Sequence, residues 1–529
     1  MRKNKLLLGL ATFAAVGCLG LTSCSSGSSS DPNALKIMVV KLGYGTSWLH
    51  ALAEDFTKQT GTNIEISEVV GDTGLSKIAV QLESNVCDAD IYMTRLKTQY
   101  AEYCYDGKNH FVDLSDIYND PYEGENGATM YSKMDPIFRD YNKQNGKYYA
   151  AQWTTGFMGF VRNLDVWKSL GLEGTQDPRT TEEFFELLET IKTKMPSDGS
   201  IAPIIYNANN EYYSSIVGSW FYQFEGKDMM ENFYTGKDFN GNYDPNGGLY
   251  DYQGQEESLK VLDRLLDKTN NYHHRDSDSS QSFTTMQVNF VKGCSVFCLN
   301  GTWLEHELNS DYYNANLDMV KIPLLSSITQ KLSFKDASDK EEKLRQLVSY
   351  VDTHIEVGDN SGCQVAGVTE ADIERVREAR NGGSLVKTDQ DHQIVVTPTS
   401  NKIDVAKKFI KYMYSDRGLQ LYSKTMKGHR LPATPTTGYE SQEVSRLQKS
   451  IDKFNNDGKY CYYEVEAYKS KIYSFAKVKL NFSNGLGTST CIKELCKTGD
   501  KHMTPQQILQ LNREDIANRW VRDIQPLLG

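Results

Sequence analysis

The sequence predicts an α/β fold built as two lobes that the chain crosses between, and three observations lead there. At 529 residues the chain exceeds what one ordinary core holds, so it divides into at least two domains. From Ala34 onward, short apolar runs alternate with amphipathic helical stretches, the pattern of largely parallel sheets. Finally, KYYAAQWTTGFMGFVRN, Lys147 to Asn163, reads as strand, hinge and strand. Lys147 to Gln152 is extended, Trp153 stands at the break, Gly156 follows two threonines, and Phe157 to Val161 resumes the apolar run. Such a passage suits a chain moving from one lobe to the other, and it puts Trp153 in the cleft.

The N-terminus comes first in order. Arg2, Lys3 and Lys5 precede the apolar run Leu6–Gly20, the shape of a secretory signal that takes no part in the fold. Leu21-Thr22-Ser23-Cys24 resembles the bacterial lipobox, which implies that Cys24 becomes the first mature residue and carries lipid; an ordinary cleaved signal with an incidental cysteine is the competing reading. Several acyl chains there would anchor the protein stably. Ser25–Ser30 then reads as a flexible tether. No later run approaches the eighteen or so apolar residues of a spanning helix, so the expectation is an anchored protein, not an embedded one.

In the body, Leu35–Val40 is a strand, and the loop Lys41–Ser47 leads into a helix, Trp48–Thr60, with Trp48, Leu49, Leu52 and Phe56 on one face. Gly61 is placed to stop that helix in the left-handed conformation. A strand Asn63–Val70, a helix over GDTGLSKIAVQLES and a strand Asp90–Met93 follow, the last ending at Thr94 and Arg95. Beyond the crossing, Thr180-Thr181-Glu182-Glu183 opens a helix as a capping box. Ile201–Tyr206 is a buried strand, and the loop Asn207–Tyr213 precedes a helix containing Trp220, which reads as core. Residues 226–256 are rich in turn formers. Helices over Leu259–Leu266 and Ser282–Phe290 precede a strand, Cys294–Leu299, that ends in Asn300-Gly301-Thr302-Trp303. Val320–Leu325 is a further strand. Residues 330–391 are charged, with a helix at Glu370–Ala379 and little strand signal, and read as an insertion. Strand character returns at Ile394–Val396, and Ala406, Phe409, Ile410 and Met413 mark another helix. Leu431–Pro435 is an extended linker. Thr504-Pro505-Gln506-Gln507 caps a final helix whose Ile508, Leu511, Ile516 and Trp520 pack on the body.

The formal charge of −11 argues against nucleic acid, whose binders cluster Lys and Arg. The 32 tyrosines exceed what cores need and point to cleft or surface aromatics. There is no phosphate-binding loop, dinucleotide fingerprint, nucleophile elbow or H-E-x-x-H motif, and no cofactor is expected. His273-His274 lies in a polar stretch, and the Asp238–Asp244 run lacks the sixth-position glycine and terminal glutamate of a calcium loop. Glu305 and Glu307 form a carboxylate pair, but a sequence cannot set two acids across a scissile bond. Of ten cysteines, Cys18 leaves with the signal and Cys24 is the lipidation site. Cys294 and Cys298 lie about 13 Å apart along a strand, too far for a bridge, and read as small core residues. Cys491 and Cys496 are left open, since spacing does not decide pairing. The cysteine and histidine spacings predict no structural metal.

The segments WLHALAEDFTKQTGTNIEI, DADIYMT, GKYYAAQWTTGFMGFVRNLDVWKSLGL, PRTTEEFFELLETIK, FVKGCSVFCLNGTWLEHEL and TPTSNKIDVAKKFIKYMYSDRGLQLYSK occur in that order. Each is weak alone. Together with the lipobox they resemble the lipid-anchored, extracytoplasmic solute-binding proteins of ABC importers, in particular the sugar-binding group. The resemblance covers most of Leu35–Pro435; residues 330–391 and the tail beyond about residue 440 go further than the compact family pattern.

It implies a two-lobed, periplasmic-binding-protein-like fold with discontinuous lobes and a hinge. Lobe one is then residues 35–153 and 392–435, and lobe two 154–391 and 436–529, after a signal peptide 1–23 and a tether 24–34. It also implies a non-enzymatic, monomeric receptor on the outer face of a bacterial cell membrane. The receptor would pass a mono- or oligosaccharide to separate permease subunits. The ligand residues would be Tyr44, Gly45, Thr94, Arg95, Trp153, Thr155, Asn210, Tyr212 and Trp303, at strand ends and the hinge. Indole and phenol faces cover the C–H face of a sugar ring while Asn, Arg and Thr bond its hydroxyls. For Trp153, Trp303, Tyr44 and Tyr212 a core role is the competing reading, and Arg95 can equally pair with a surface acid. Another solute, a peptide or a polyamine, is the nearest alternative to a sugar. A surface glycoside hydrolase and an adhesion lipoprotein lie further off.

Overall fold

The computed structural model describes residues 31–528 except 97, 106, 135–138, 140–141, 208–211, 279–281, 309–314, 428–433, 435–443, 456–460, 464–493 and 496. The signal, Cys24, the tether, Asn210, Cys491, Cys496 and nearly all of the 431–435 linker therefore lie outside the described residues.

The first third follows the sequence closely. Strand β1 (Leu35–Lys41) pairs in parallel with β2 (Ile64–Val70) and β3 (Ile91–Thr94). The helix between β1 and β2, Ser47–Thr60, buries Trp48, Leu49, Leu52, Ala53 and Phe56. It ends at Gly61, whose φ of 74° lets its N–H reach the Thr57 carbonyl; any side chain would be strained there. The second helix, Gly71–Ser84, covers GDTGLSKIAVQLES. A two-residue hairpin, β4 (Lys143–Gln144) and β5 (Lys147–Tyr148), leads to the crossing.

The crossing departs from the expected strand–hinge–strand. Residues Ala151–Asn163 form one unbroken strand, β6. The irregularity sits instead on its neighbour β10 (Leu385–Val396), whose register against β6 shifts between Thr388 and Asp391, opposite Gly156 and Thr154. His392, beside the shift, adopts a φ of 62°, a conformation rare for a residue with a Cβ, and its buried ring bonds the Val40 carbonyl at 2.8 Å. β10 also starts inside the charged stretch 330–391, where strand signal is weak. Its polar middle, Lys387–Gln393, masks the pattern.

Strand order is β2-β1-β3-β10-β6-β8-β7, with β8 at Ser295–Gly301 and β7 at Ala202–Ile205. β9 (Leu317–Val320) pairs with β6 and β11 (Cys461–Tyr463) with β10. The flanks are parallel as expected, but the centre is antiparallel: β10 runs against both β3 and β6, and β6 against β8. The reason is topological. One central strand carries the chain outward and the other brings it back. The expected strand Val320–Leu325 stops at Val320, and Pro323 has no N–H to give a ladder; Ile322 donates to the Ser384 carbonyl, and Leu324 forms an isolated parallel bridge to Thr180, donating to the Arg179 carbonyl and accepting from the Thr181 N–H.

Further on, Thr180 caps the helix Thr181–Lys194 by accepting from the Glu183 N–H, but only half of the capping box forms. The Glu183 carboxylate takes the Arg179 N–H at 2.7 Å instead. Trp220 is fully buried, in the helix Tyr212–Glu225. The charged stretch holds two helices, Lys340–Val351 and Glu370–Gly382, around a core of their own that includes Leu344, Leu347, Val348, Ile373 and Val376. Thr504 and Gln507 form the full capping box of the helix Pro505–Arg519, which buries Leu509 where Leu511 was expected. Cys294 and Cys298 are free thiols. Among the described residues no helix is long and apolar enough to cross a membrane.

Candidate functional site

The C-terminal ends of β1, β3 and β8 converge with the middle of β6, and most of the sequence-predicted ligand residues stand there. The loop after β1 turns tightly: the Gly45 N–H bonds the Leu42 carbonyl at 2.8 Å, and Gly45 has a φ of 64°. Its carbonyl accepts from the Trp48 indole at 3.0 Å. This turn presents Tyr44 to the segment after β8. The Tyr44 hydroxyl and the Thr302 hydroxyl share a hydrogen bond, and the tyrosine ring meets His306 edge-on at 5.7 Å. Thr302 in turn is tied to β6, donating its N–H to the Phe157 carbonyl at 2.9 Å and accepting the Phe157 N–H at 3.2 Å. Tyr44 is only 2% exposed, so in this conformation it bridges the β1 side and the β8 side.

Trp153 stands deeper. It is 0% exposed, walled by Trp48 at 5.6 Å and by the edges of Tyr414 and Tyr422 at 5.1 and 5.4 Å. Among the described residues its indole N–H has no hydrogen-bond partner. Thr94 is also buried, at the end of β3 and in register with Gln393 of β10. Arg95, the next residue, is half-buried. Thr155 is part of β6.

Trp303 is the residue around which the β8 side is built. Its indole N–H donates to the Tyr212 hydroxyl at 2.8 Å, and the two rings lie 5.6 Å apart. Tyr212 meets Phe283 edge-on at 5.3 Å. Trp303 and Tyr212 are thus brought together, with Tyr44 joined to the same turn through Thr302 and with Trp153 apart in the aromatic core. Behind this edge, Tyr206, Tyr213 and His273 form a second cluster, with Tyr213 and His273 within 3.1 Å.

Besides Tyr212 and the carboxylate pair, the sequence pointed to no polar residue near Trp303. The structure adds Gln287, fully buried, which donates to Glu307 at 2.5 Å and whose carbonyl oxygen has no partner among the described residues. Its helix, Phe283–Val291, was legible, but a glutamine on the inward face looks like any solvent-facing polar residue. Glu305 is buried as well: Ser445 donates to one oxygen at 2.6 Å and the other has no partner among the described residues. Burial pushes its carboxyl up to about 7, with the Ser445 hydroxyl only partly opposing.

Among the described residues no cluster of His, Cys, Asp and Glu is placed to hold a metal. A separate open cavity of about 620 Å³ lies between the helix Gln253–Leu266 and residues 495–506. No sequence-predicted ligand residue lines it. Of its charged groups, His502 meets Asp263 at 3.3 Å within the lining, while Arg264 pairs with Glu182 outside it at 2.8 Å.

The model for the family described as bacterial extracellular solute-binding protein matches residues 51–342. No curated sequence matches the chain. Among solved structures, a probable secreted solute-binding lipoprotein from Streptomyces coelicolor is similar over 92% of this chain and 99% of its own, at 14% identity and a TM-score of 0.57. A chitin oligosaccharide binding protein is similar over 92% and 99%, at 16% identity and a TM-score of 0.58. The solute-binding protein RafE, solved in complex with raffinose, is similar over 94% and 100%, at 15% identity and 0.57. At these identities the likeness is one of fold, the two-lobed periplasmic-binding-protein-like arrangement.

Proposed function

This chain belongs to the family of bacterial extracellular solute-binding proteins, and from that premise we propose that it is the capture subunit of an ABC importer with a carbohydrate as its solute. The observation that carries the carbohydrate reading is the Trp303–Tyr212–Phe283 aromatic edge at the strand ends, opposite the β1 loop. Flat aromatic faces match the C–H faces of sugar rings, and the buried Gln287 beside them has an acceptor unmet among the described residues. The names of the similar proteins, binders of raffinose and of chitin oligosaccharide, support the same class.

In this reading the lobes are residues 35–153 with 392–435, and 154–391 with 436–529; residues 330–391 are an insertion on lobe two. Ligand stabilises the closed arrangement through contacts that only closure provides. Tyr44, Gly45, Thr94, Arg95, Thr155, Asn210, Tyr212 and Trp303 contribute from the two sides. Trp153 belongs to the wall behind them. The protein acts as a monomer, without cofactor or catalytic step, held to the membrane by lipid on Cys24 and presenting its ligand to permease subunits.

A thermal-shift panel of mono- and oligosaccharides tests this. At least one glycan raises the melting temperature, by the equivalent of about 2.7 kcal/mol at a hundred times Kd. Trp303→Ala removes that shift. Trp153→Ala lowers the melting temperature of the free protein and leaves the shift in place. A response confined to polyamines or peptides replaces the solute class, and chromatographic detection of glycan cleavage products defeats the receptor reading.

A further inference from the structure

Two glycines at the strand ends are in contact with one side chain, Trp303. A Cβ built on Gly301 would lie 2.3 Å from Cη2 of that indole and 2.5 Å from Cζ2 and Cζ3, so the ring is folded flat over the glycine two residues before it. A Cβ built on Gly43, in the loop after β1, would lie 2.8 Å from the Trp303 Cβ and 3.2 Å from Cγ, with the Glu307 Oε1 at 3.0 Å. Neither glycine has a positive φ, so neither is required for backbone reasons. Both positions are set by close approach alone.

We propose that Gly43 and Gly301 are positioning residues for the Trp303 indole, clamping it between the β1 loop, its own strand and Tyr212, and thereby fixing the face it offers to a ligand. This rests on the carbohydrate-receptor reading for its consequence in binding, but not for its geometry. The Tyr212 hydroxyl takes the indole N–H, so the ring's polar edge is committed to the protein. Trp303 is 8% exposed in this conformation; once the β1 side parts from the β8 side, what it offers is a flat apolar face at a fixed angle, where a sugar ring is selected by stacking without a hydrogen bond to that nitrogen.

The two contacts differ in what can yield. Against Gly301 the intruding group is a ring on two rotatable bonds, so an added methyl swings the indole out of its pose. Against Gly43 it is a Cβ fixed to the backbone, so an added methyl must lift the β1 loop off the β8 turn and disturb the Tyr44–Thr302 contact.

The test is a double-mutant cycle on the full chain, read by melting temperature, together with the fluorine spectrum of protein labelled with 5-fluorotryptophan. The Trp303 resonance is assigned by its loss in Trp303→Ala. Gly301→Ala shifts that resonance and lowers the melting temperature, and the lowering vanishes on the Trp303→Ala background, where no ring remains. Gly43→Ala lowers the melting temperature on both of those backgrounds and stops doing so only with Trp303→Gly, which also removes the Cβ. An unmoved Trp303 resonance in both glycine variants, or a Gly301→Ala cost that persists without the ring, overturns the proposal. If Gly301→Ala alone does not fold, its rescue by Trp303→Ala supports the proposal, and failure to rescue overturns it. Where a glycan binds the unmodified protein, Gly301→Ala weakens it at least tenfold. If no glycan binds the unmodified protein, the carbohydrate reading fails while the spectrum and the cycle still decide the positioning role.

Discussion

At the scale of the residue, the molecule separates groups that the sequence presents as equivalent. Trp153 and Trp303 both follow short apolar runs and both looked like cleft aromatics. Both are buried, at 0% and 8% exposed, but the first is enclosed by Trp48, Tyr414 and Tyr422, the last two more than 200 residues away, so no local pattern could have announced its surroundings. Glu305 makes the same point for charge. It lies two residues from Trp303 in what reads as a polar helix start, yet it is buried with its carboxyl raised to about 7. An acid whose folded pKa lies above its unfolded value near 4.5 binds more protons when folded. It therefore costs no stability below about 4.5, and stability falls as pH rises from there through 7. Glu305→Gln keeps the Ser445 hydrogen bond and removes the titration. Chemical denaturation between pH 5 and 8 should show the unmodified protein losing on the order of 2–3 kcal/mol that the variant keeps. Equal slopes for the two proteins would show that Glu305 ionises freely.

At the scale of the element, the charged stretch 330–391 shows how charge hides an element whose apolar stripe is thin. The helix expected at Glu370–Ala379 is present as Glu370–Gly382, and Thr369 with Asp372 forms a capping box at its start. Lys340–Val351 was not expected, because its apolar stripe of Leu344, Leu347, Val348 and Val351 is diluted by charge at almost every other position. Arg179 to Ser349, Thr180 to Glu341 and Arg375 to the Gln223 carbonyl tie this pair of helices to the body, and one acid ties it to the segment after β9. Asp352 accepts from Lys321, just past β9, at 2.6 Å, and from Arg380 at 3.0 Å, while Arg380 also bonds the Ile322 carbonyl. Burial alone would raise the Asp352 carboxyl, but Arg380 and Lys321 outweigh it and hold it at about 2. Its contribution is thus complete above the ordinary value of 3.8 and is lost as pH falls through 2. Asp352→Ala leaves a buried guanidinium without its counter-charge, a loss of roughly 3–5 kcal/mol. Limited proteolysis should then cut the loop 353–368 first and much faster than in the unmodified protein. Unchanged cleavage would mean that the core around Leu347 and Val376 holds the helices unaided.

At the scale of the whole molecule, two strands decide how the halves behave. The first residues of β6 pair with the last of β10, Ala151 with Ile394 and Gln152 with Gln393, and that part of β10 pairs onward with β3. The later residues of β6 pair with β8 and β9, and the early residues of β10 with β6 and β11. Each half of the sheet therefore contains a piece of both strands, and neither half keeps its ladder if the other melts. The sequence showed that a crossing exists, through the apolar runs on either side of Gly156, but not that the crossing strand is continuous. The kink lies on a partner more than 200 residues later, at Thr388–Asp391. A chain of 529 residues with two domains would ordinarily unfold in separate steps. Shared central strands predict the opposite here: one calorimetric transition for the sheet, with calorimetric and van't Hoff enthalpies in a ratio near one. A ligand that closes the halves should move that transition upward as a single peak. Two resolved peaks, only one of them shifted by ligand, would show that the halves hold their strands independently and that β6 and β10 act as a tether rather than as common structure.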